Sequence, residues 1–312
     1  MNTHKPKVIV IVGPTASGKT SLGVAVAKHF NGEVVSCDSM QIYNNMPIAS
    51  AAPKVEETDG IVHHLVGFAD PSVKFSVAQF VSMATESIND ILSRGKTPVI
   101  VGGTGLYVDS LISGVEFCDE DNAEIREKLE REAESIGFEA MLERLRKVDP
   151  ETAAKYHIND RKRIIRALEI YEIHGRSKSE LDRESKRLGA RYDAVWIGLT
   201  FRDRSILYDR INRRVDIMLE EGVLDEASKA FSEGSGKTAV QAIGHKEFFP
   251  YFKGEVELVD AVENLKTETR RYAKRQFTWF RRNQEINWIY ADETTDVVSK
   301  AIETVNRNFE QI

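Results

Sequence analysis

The densest chemistry in the sequence sits near its start. Gly13, Pro14, Thr15, Ala16, Ser17, Gly18, Lys19 and Thr20 satisfy G-x-x-x-x-G-K-[ST], the phosphate-loop spacing. Glycines let backbone N–H groups turn inward around an anion, and the helix that follows adds the partial positive charge of its N-terminus. Lys19 supplies a point charge, and the Thr20 hydroxyl can ligate Mg²⁺. The motif specifies a di- or triphosphate without specifying a nucleotide. Three further groups can act on such a ligand. Asp38, in "SCDSMQIY", can hold Mg²⁺ through water or serve as a general base; a helix cap or turn aspartate is the plain alternative. "VGGTGLY" places Gly102, Gly103 and Gly105 around Thr104, which suits either close backbone approach to a ligand or a tight strand-to-helix turn. Arg210 and Arg214 lie four apart on one helix face in "DRINRR", where they can clamp a pyrophosphate or simply meet solvent.

These residues need a frame. Val8–Val12 is a β-branched apolar run that reads as a buried parallel strand, and the loop and a helix over about 19–30 follow it. "EVVSC" (33–37) and "PVIV" (98–101) read as further strands, with a helix over 75–93 between them. The β–α–β rhythm predicts an α/β fold: a P-loop NTPase-like parallel sheet flanked by helices, with ligands beyond the C-terminal strand ends. All three strand exits carry the residues named above. From 124 to 187 the chain is charged and helical, and "AVWIGL" (194–199) then restores the strand pattern. The expected organisation is an α/β core of residues 1–113 and 194–312, interrupted by an all-helical insertion domain of residues 114–193. Asp203 is a plausible cap for a helix running to Gly222, and the remainder reads as mostly helical.

Composition is that of a globular chain: 312 residues with a net charge of −6, so any affinity for nucleic acid must come from local clusters. The clearest cluster, "TRRYAKRQFTWFRRN", has six basic and no acidic residues, with Tyr272, Phe277, Trp279 and Phe280 interleaved. The charges suit RNA phosphates, while the aromatics suit a helix's core face. Lys162, Arg163 and Arg166 form a smaller patch. Cys37 and Cys118 belong to no CxxC or Cys/His cluster, which fits a reducing cytoplasm. His63 and His64 read as loop or core histidines. No stretch reaches the length of a membrane span.

"GPTASGKT", "DSMQIY", "GGTGLY", "NDRKRIIRALEIY", "QAIGHKE" and "RRYAKRQFTWFR" occur in this order. Together they resemble the bacterial tRNA dimethylallyltransferases (tRNA isopentenyltransferases), over nearly the whole chain. The resemblance implies transfer of a dimethylallyl group from dimethylallyl diphosphate to N6 of the adenosine just 3′ of the anticodon, assisted by Mg²⁺. The loop then grips the donor's diphosphate rather than ATP. It further implies that Asp38 accepts the N6 proton, that Lys19, Thr20 and an arginine, Arg210 ahead of Arg214, hold the leaving diphosphate, and that Thr104 stands beside the reacting centre. It assigns tRNA contacts to Asp38, Ser39, Met40, Gln41, Thr104 and Arg126. It assigns others to Lys162, Arg163, Ile164, Ile165 and Arg166, and to Gln241, Ala242, Ile243, Gly244, His245 and Lys246. The insertion would grip the anticodon stem-loop. The expected partners are tRNA and dimethylallyl diphosphate, with no membrane, for a cytoplasmic monomer.

The chain departs from the family's usual pattern at Ala49 and Ala52 in "MPIASAAP", at Gly67, and at His245. These changes leave the chemistry intact and bear on RNA contacts. A small-molecule P-loop kinase and an adenylate isopentenyltransferase are the competing readings, and neither has an obvious use for the insertion or the basic–aromatic segment.

Overall fold

In a computed structural model, the structure describes residues 5–73, 75–114, 122–233 and 242–310. Cys118 and Gln241 lie outside them. The chain divides into two compact units, Met1–Ile112 with Tyr192–Ile312, and Ser113–Arg191.

The first unit is built on six strands: β1 (Lys7–Val12), β2 (Gly32–Ser36), β3 (His63–His64), β4 (Thr97–Gly102), β5 (Asp193–Thr200) and β6 (Asn287–Tyr290). Their order is β3-β2-β4-β1-β5-β6, and every pairing is parallel. A parallel sheet needs cover on both faces, so its central strands are apolar throughout. Val8 to Val12 are completely buried. Helix α1 (Lys19–His29) packs Leu22, Val26 and Ala27 into the cluster that holds Ile9, Ile11, Val99 and Ile197. Helix α2 (Val77–Ser93) begins at a capping box, with Gln79 N–H donating to Ser76 Oγ (3.1 Å) and Ser76 N–H to Gln79 Oε1 (2.8 Å). Its stripe of Phe80, Ala84, Ile88 and Ile91 is buried. The order places the exits of β2, β4 and β1 side by side, which brings the turn at Thr104 beside Asp38 and the phosphate loop, and Thr15, Lys19, Thr20 and Asp38 line one crevice.

Two strands escaped the sequence reading. β6 is four residues paired only to β5, and β3 is two residues paired only to β2. Edge pieces this short show no alternation.

Glu33, 2% exposed at the start of β2, accepts from Arg94 Nη2, Lys96 Nζ and His64 Nε2, each at 2.7 Å. Arg94 above all holds its carboxyl well below the ordinary value of 4.5. A depressed carboxylate contributes stability above its unfolded value and loses it as pH falls below that value. Glu33→Gln is therefore expected to lower stability by about 2 kcal/mol at neutral pH, a figure already reduced for the solvent access of Arg94 and Lys96. Urea unfolding at neutral pH and at about pH 3 checks this: the variant should lose less stability between the two than wild type.

Helix α3 (Gly105–Ser113) leads out of the first unit's opening segment. The second unit comprises α4 (Ala123–Val148), α5 (Pro150–Ala153), α6 (Arg161–His174) and α7 (Lys178–Leu188). α4 breaks at Gly137, whose φ of 83° no helix accommodates. Its core joins Leu129, Met141, Leu145, Ile164, Ile165 and Leu168. Ile164 and Ile165, expected on the RNA-contacting surface, therefore face inward: they are 0% and 5% exposed. Lys162 and Arg163, the two residues just before them on α6, are exposed. Arg126 and Arg166 both reach the fully buried Glu169, at 2.7 and 3.0 Å.

The first unit closes with α8 (Arg204–Glu220), α9 (Val223–Glu233), α10 (Phe249–Phe252), α11 (Leu258–Phe280) and α12 (Val297–Glu310). Asp203 caps α8 as its sequence position implied, accepting from Ser205 N–H at 2.8 Å.

Candidate active site

The phosphate loop is held open by its backbone. Gly18 has φ 95° and Ala16 φ 62°, so the chain enters α1 through left-handed residues. Gly13 serves a different need: a Cβ there would stand 2.4 Å from the Leu199 carbonyl oxygen at the end of β5. Lys19 follows at the start of α1, its ammonium no closer than 3.4 Å to the Pro14 carbonyl oxygen. Burial lowers it to about 8, against the nearby charge of Asp38 and with that of Arg214.

At the next exit, Asp38 Oδ1 accepts from Met40 N–H at 2.9 Å, which fixes the carboxylate's direction. The Thr104 hydroxyl accepts from Ser39 N–H at 3.0 Å, and Thr104 N–H donates to the Cys37 carbonyl (3.3 Å), tying the exits of β2 and β4 together. The glycines around Thr104 serve close packing. A Cβ on Gly102 would meet the Cys37 carbonyl oxygen at 2.0 Å, one on Gly103 the Gln276 amide at 2.2 Å, and one on Gly105 the Trp279 ring at 2.2 Å. Helix α11 thus lies directly on this turn.

The crevice is a cavity of about 230 Å³. Its charged and hydroxyl-bearing lining includes Lys19, Thr20, Asp38, Arg214, Lys246 and Arg275. Its apolar lining includes Ala49, Val215, Met218 and Ile243, all four from one packed cluster with Phe248 and Leu265. Arg214, rather than Arg210, reaches this cavity. Arg210 stands on another side of the loop, where its Nε donates to the Ala16 carbonyl (2.9 Å) and its guanidinium lies over the Phe201 ring. One helical turn on α8 separates the two positions.

Comparison with known proteins gives the family of the chain. The family model described as IPP transferase matches residues 41–283, and one described as Isopentenyl transferase matches 6–66. The chain belongs to the IPP transferase family. It is 48% identical to the tRNA dimethylallyltransferase of Thermoanaerobacter sp. (strain X514) over 92% of each chain. It is 47% identical to that of Halalkalibacterium halodurans, over 94% of this chain and 93% of the other. Among solved structures it is similar to the full-length tRNA isopentenylpyrophosphate transferase from Bacillus halodurans, with TM-score 0.71, 45% identity, and 97% and 95% of the two chains covered. It is also similar to a eukaryotic dimethylallyltransferase acting on tRNA, with TM-score 0.82, 32% identity, and 97% and 79% covered.

Several residues that the family resemblance singled out have inward tasks in this IPP transferase. The Gln41 amide accepts from Ser36 Oγ (2.8 Å) and donates to the Ala51 carbonyl (2.9 Å), bracing the cavity wall. Ala242 is 1% exposed and His245 2%, so neither offers a surface for RNA. His245 instead pairs with Glu226 at 2.8 Å, and Glu226 accepts the N–H groups of Ile48 and Ala49, each at 2.9 Å. Two of the sequence departures, Ala49 and His245, are therefore linked through one carboxylate. Gly244 (φ 110°) admits Ala49 beside it: a Cβ at Gly244 would meet Ala49 at 3.1 Å. Gly67, a third departure, has φ 62°, where glycine is favoured.

The sequence reading missed part of this IPP transferase site. Tyr272, Arg275 and Gln276 of α11 line the cavity, although the aromatics of that segment read as core. Phe280 is core, 1% exposed. Trp279 donates its indole N–H to Asp109 at 2.7 Å. The adjacent face of α11, with Lys274, Phe277 and Arg281, lines a second cleft of about 270 Å³ that Arg204 and Tyr208 share. Only the i, i+4 spacing of Tyr272 and Gln276 hinted that one face of α11 differs from its neighbour.

Proposed function

We propose that this chain transfers the dimethylallyl group of dimethylallyl diphosphate to N6 of the adenosine 3′-adjacent to the anticodon of tRNA, releasing diphosphate. The observation that carries the reading is the mixed lining of one cavity: phosphate-loop residues and cations, an apolar patch of Ala49, Val215, Met218 and Ile243, and Asp38.

The phosphate loop, Lys19 and Arg214 bind the diphosphate, and the N-terminus of α1 adds its dipole. The dimethylallyl tail lies on the apolar wall, which fixes C1 towards the acceptor. The N6 lone pair forms the new bond to C1 while the C1–O bond breaks. Its electron pair leaves on the diphosphate, and Asp38 takes the N6 proton. An exocyclic amine is a poor nucleophile, so a fixed base matters, and the cations act where negative charge grows. The Thr20 hydroxyl and the Asp38 carboxylate are hard oxygen donors in one cavity, and the described residues contain no self-sufficient cluster of three metal-ligating side chains. That set suits Mg²⁺, which readily shares its shell with substrate phosphates and water. Bound there, Mg²⁺ supplies further charge for the departing diphosphate. The target base must leave its stack to reach this site. Lys274, Arg281 and Arg204 at the second cleft, and Lys162 and Arg163 of the other unit, are the cations suited to RNA phosphates. No helix among the described residues is long and apolar enough to cross a membrane.

The test is transfer itself. With Mg²⁺, labelled dimethylallyl diphosphate and unmodified tRNA, label should appear in the RNA. Label only on free AMP, or phosphate moved from ATP, would falsify the proposal. The apolar lining makes a separate prediction. Met218→Ala should improve kcat/KM for geranyl diphosphate relative to dimethylallyl diphosphate by about tenfold or more, since each methylene accommodated is worth about 1–3 kcal/mol. An unchanged ratio would place the tail elsewhere.

A further inference from the structure

Gln276 is 5% exposed and sits on α11 between two parts of the site. Its Oε1 accepts from Thr15 N–H at 2.8 Å, inside the phosphate loop. Its Nε2 donates to the Gly103 carbonyl at 3.0 Å, next to Thr104. Both halves of the amide are thus engaged, each on a different strand exit. Gly103 lacks a side chain where that amide lies, since a Cβ would come within 2.2 Å of Nε2. One turn earlier, Tyr272 lines the same cavity, and its phenol interacts with Thr104 and Gln276. Thr104 in turn holds Ser39 N–H, the residue after Asp38. Hydrogen bonds therefore join Thr15 to Gln276, Gln276 to Gly103, and Thr104 to Ser39, with Tyr272 set against Gln276 and Thr104 between the donor's cradle and the residue beside the base.

We infer that Gln276 and Tyr272 are positioning residues that set the distance between the diphosphate cradle and the Asp38–Thr104 side of the site. Neither performs chemistry. Gln276 holds the loop from behind through Thr15, which leaves the other loop amides to face the anion. Tyr272 transmits the same reference to Thr104. In a displacement between two bound partners, a shift of about 1 Å in their separation can cost about a hundredfold in rate. The inference rests on the transferase reading for its rate predictions, and its binding prediction stands without it.

Gln276→Leu keeps the side chain's bulk and removes both bonds. It should lower kcat by about a hundredfold, weaken inorganic pyrophosphate binding, and leave the KM for tRNA within about threefold. Gly103→Ala, which pushes the Gln276 amide away with the sequence of α11 unchanged, should give the same pattern. The double variant should be no slower than the slower single one, because both break one connection. Tyr272→Phe should lower kcat by about tenfold while pyrophosphate affinity stays at the wild-type value. Folded variants with wild-type kcat and wild-type pyrophosphate affinity would overturn the inference, as would losses that multiply in the double variant. Should Gln276→Leu not fold, Gly103→Ala and Tyr272→Phe decide alone. If wild type transfers no prenyl group to tRNA, the function fails. Pyrophosphate titration of wild type against Gln276→Leu and Gly103→Ala still tests the connection.

Discussion

Asp38→Asn should bind pyrophosphate as wild type does and lose turnover by about a thousandfold, the middle of the range for a positioned general base. The substitution is close to isosteric, and the Asn side-chain oxygen can still accept the Met40 N–H that orients Oδ1 at 2.9 Å in the wild-type chain. What it loses is the ability to take a proton. Because Lys19 and Arg214 remain, the cradle stays intact, so the defect should lie in kcat and leave donor binding alone. Single-turnover transfer with labelled donor separates the two quantities. A variant rate within a few-fold of wild type would remove Asp38 as the base and leave it a role in holding the cation.

Lys19→Met should cost about 10²–10³ in kcat, with weaker donor binding in addition, since the ammonium faces a group whose charge grows as the bond breaks. Lys19→Arg should recover little of this: a planar fork does not replace a point charge inside a closed loop. The burial that lowers Lys19 to about 8 makes a further consequence measurable. The lysine is charged below that value and neutral above it, so pyrophosphate affinity measured without metal should fall as pH rises through about 8. In Lys19→Met that fall should vanish. Calorimetric titration of both proteins on either side of that pH gives the answer, and an equal pH dependence in the two would assign the effect to another group.

The sequence was most informative where function is local. The loop from Gly13 to Thr20 names its ligand class because backbone amides, a helix start and a lysine are adjacent in the chain. The strands that carry it were equally readable, since buried parallel strands are unbroken apolar runs. Residues whose meaning comes from a distant neighbour were another matter. Gly103 and Gly105 announced that something approaches closely, and only the fold shows that Gln276 and Trp279 are what approaches. Gln276 itself is a polar residue in a basic amphipathic helix and gives no sign of standing between two strand exits. Arg210 and Arg214 share a helix face in the sequence, but the one turn between them puts Arg214 in the cavity and Arg210 against Ala16. Ile164 and Ile165 sit in a stretch whose charges suit RNA, while their own side chains follow the core period of α6.

The placement of β5 has a consequence for biosynthesis. β1 pairs with β5 from Lys7↔Asp193 to Val12↔Gly198, so the first strand made must keep one edge open until the chain has been extended through the whole second unit. Until then Val8–Val12 offer an apolar, unpaired edge, the kind that captures strands from other chains. The two units thus differ in when they can be completed. The helices of Ser113–Arg191 can form from near-neighbour contacts as they emerge, whereas the sheet bearing the phosphate loop closes only after Asp193 has been made. A nascent chain halted between the units would hold a finished helical module attached to a half-built sheet.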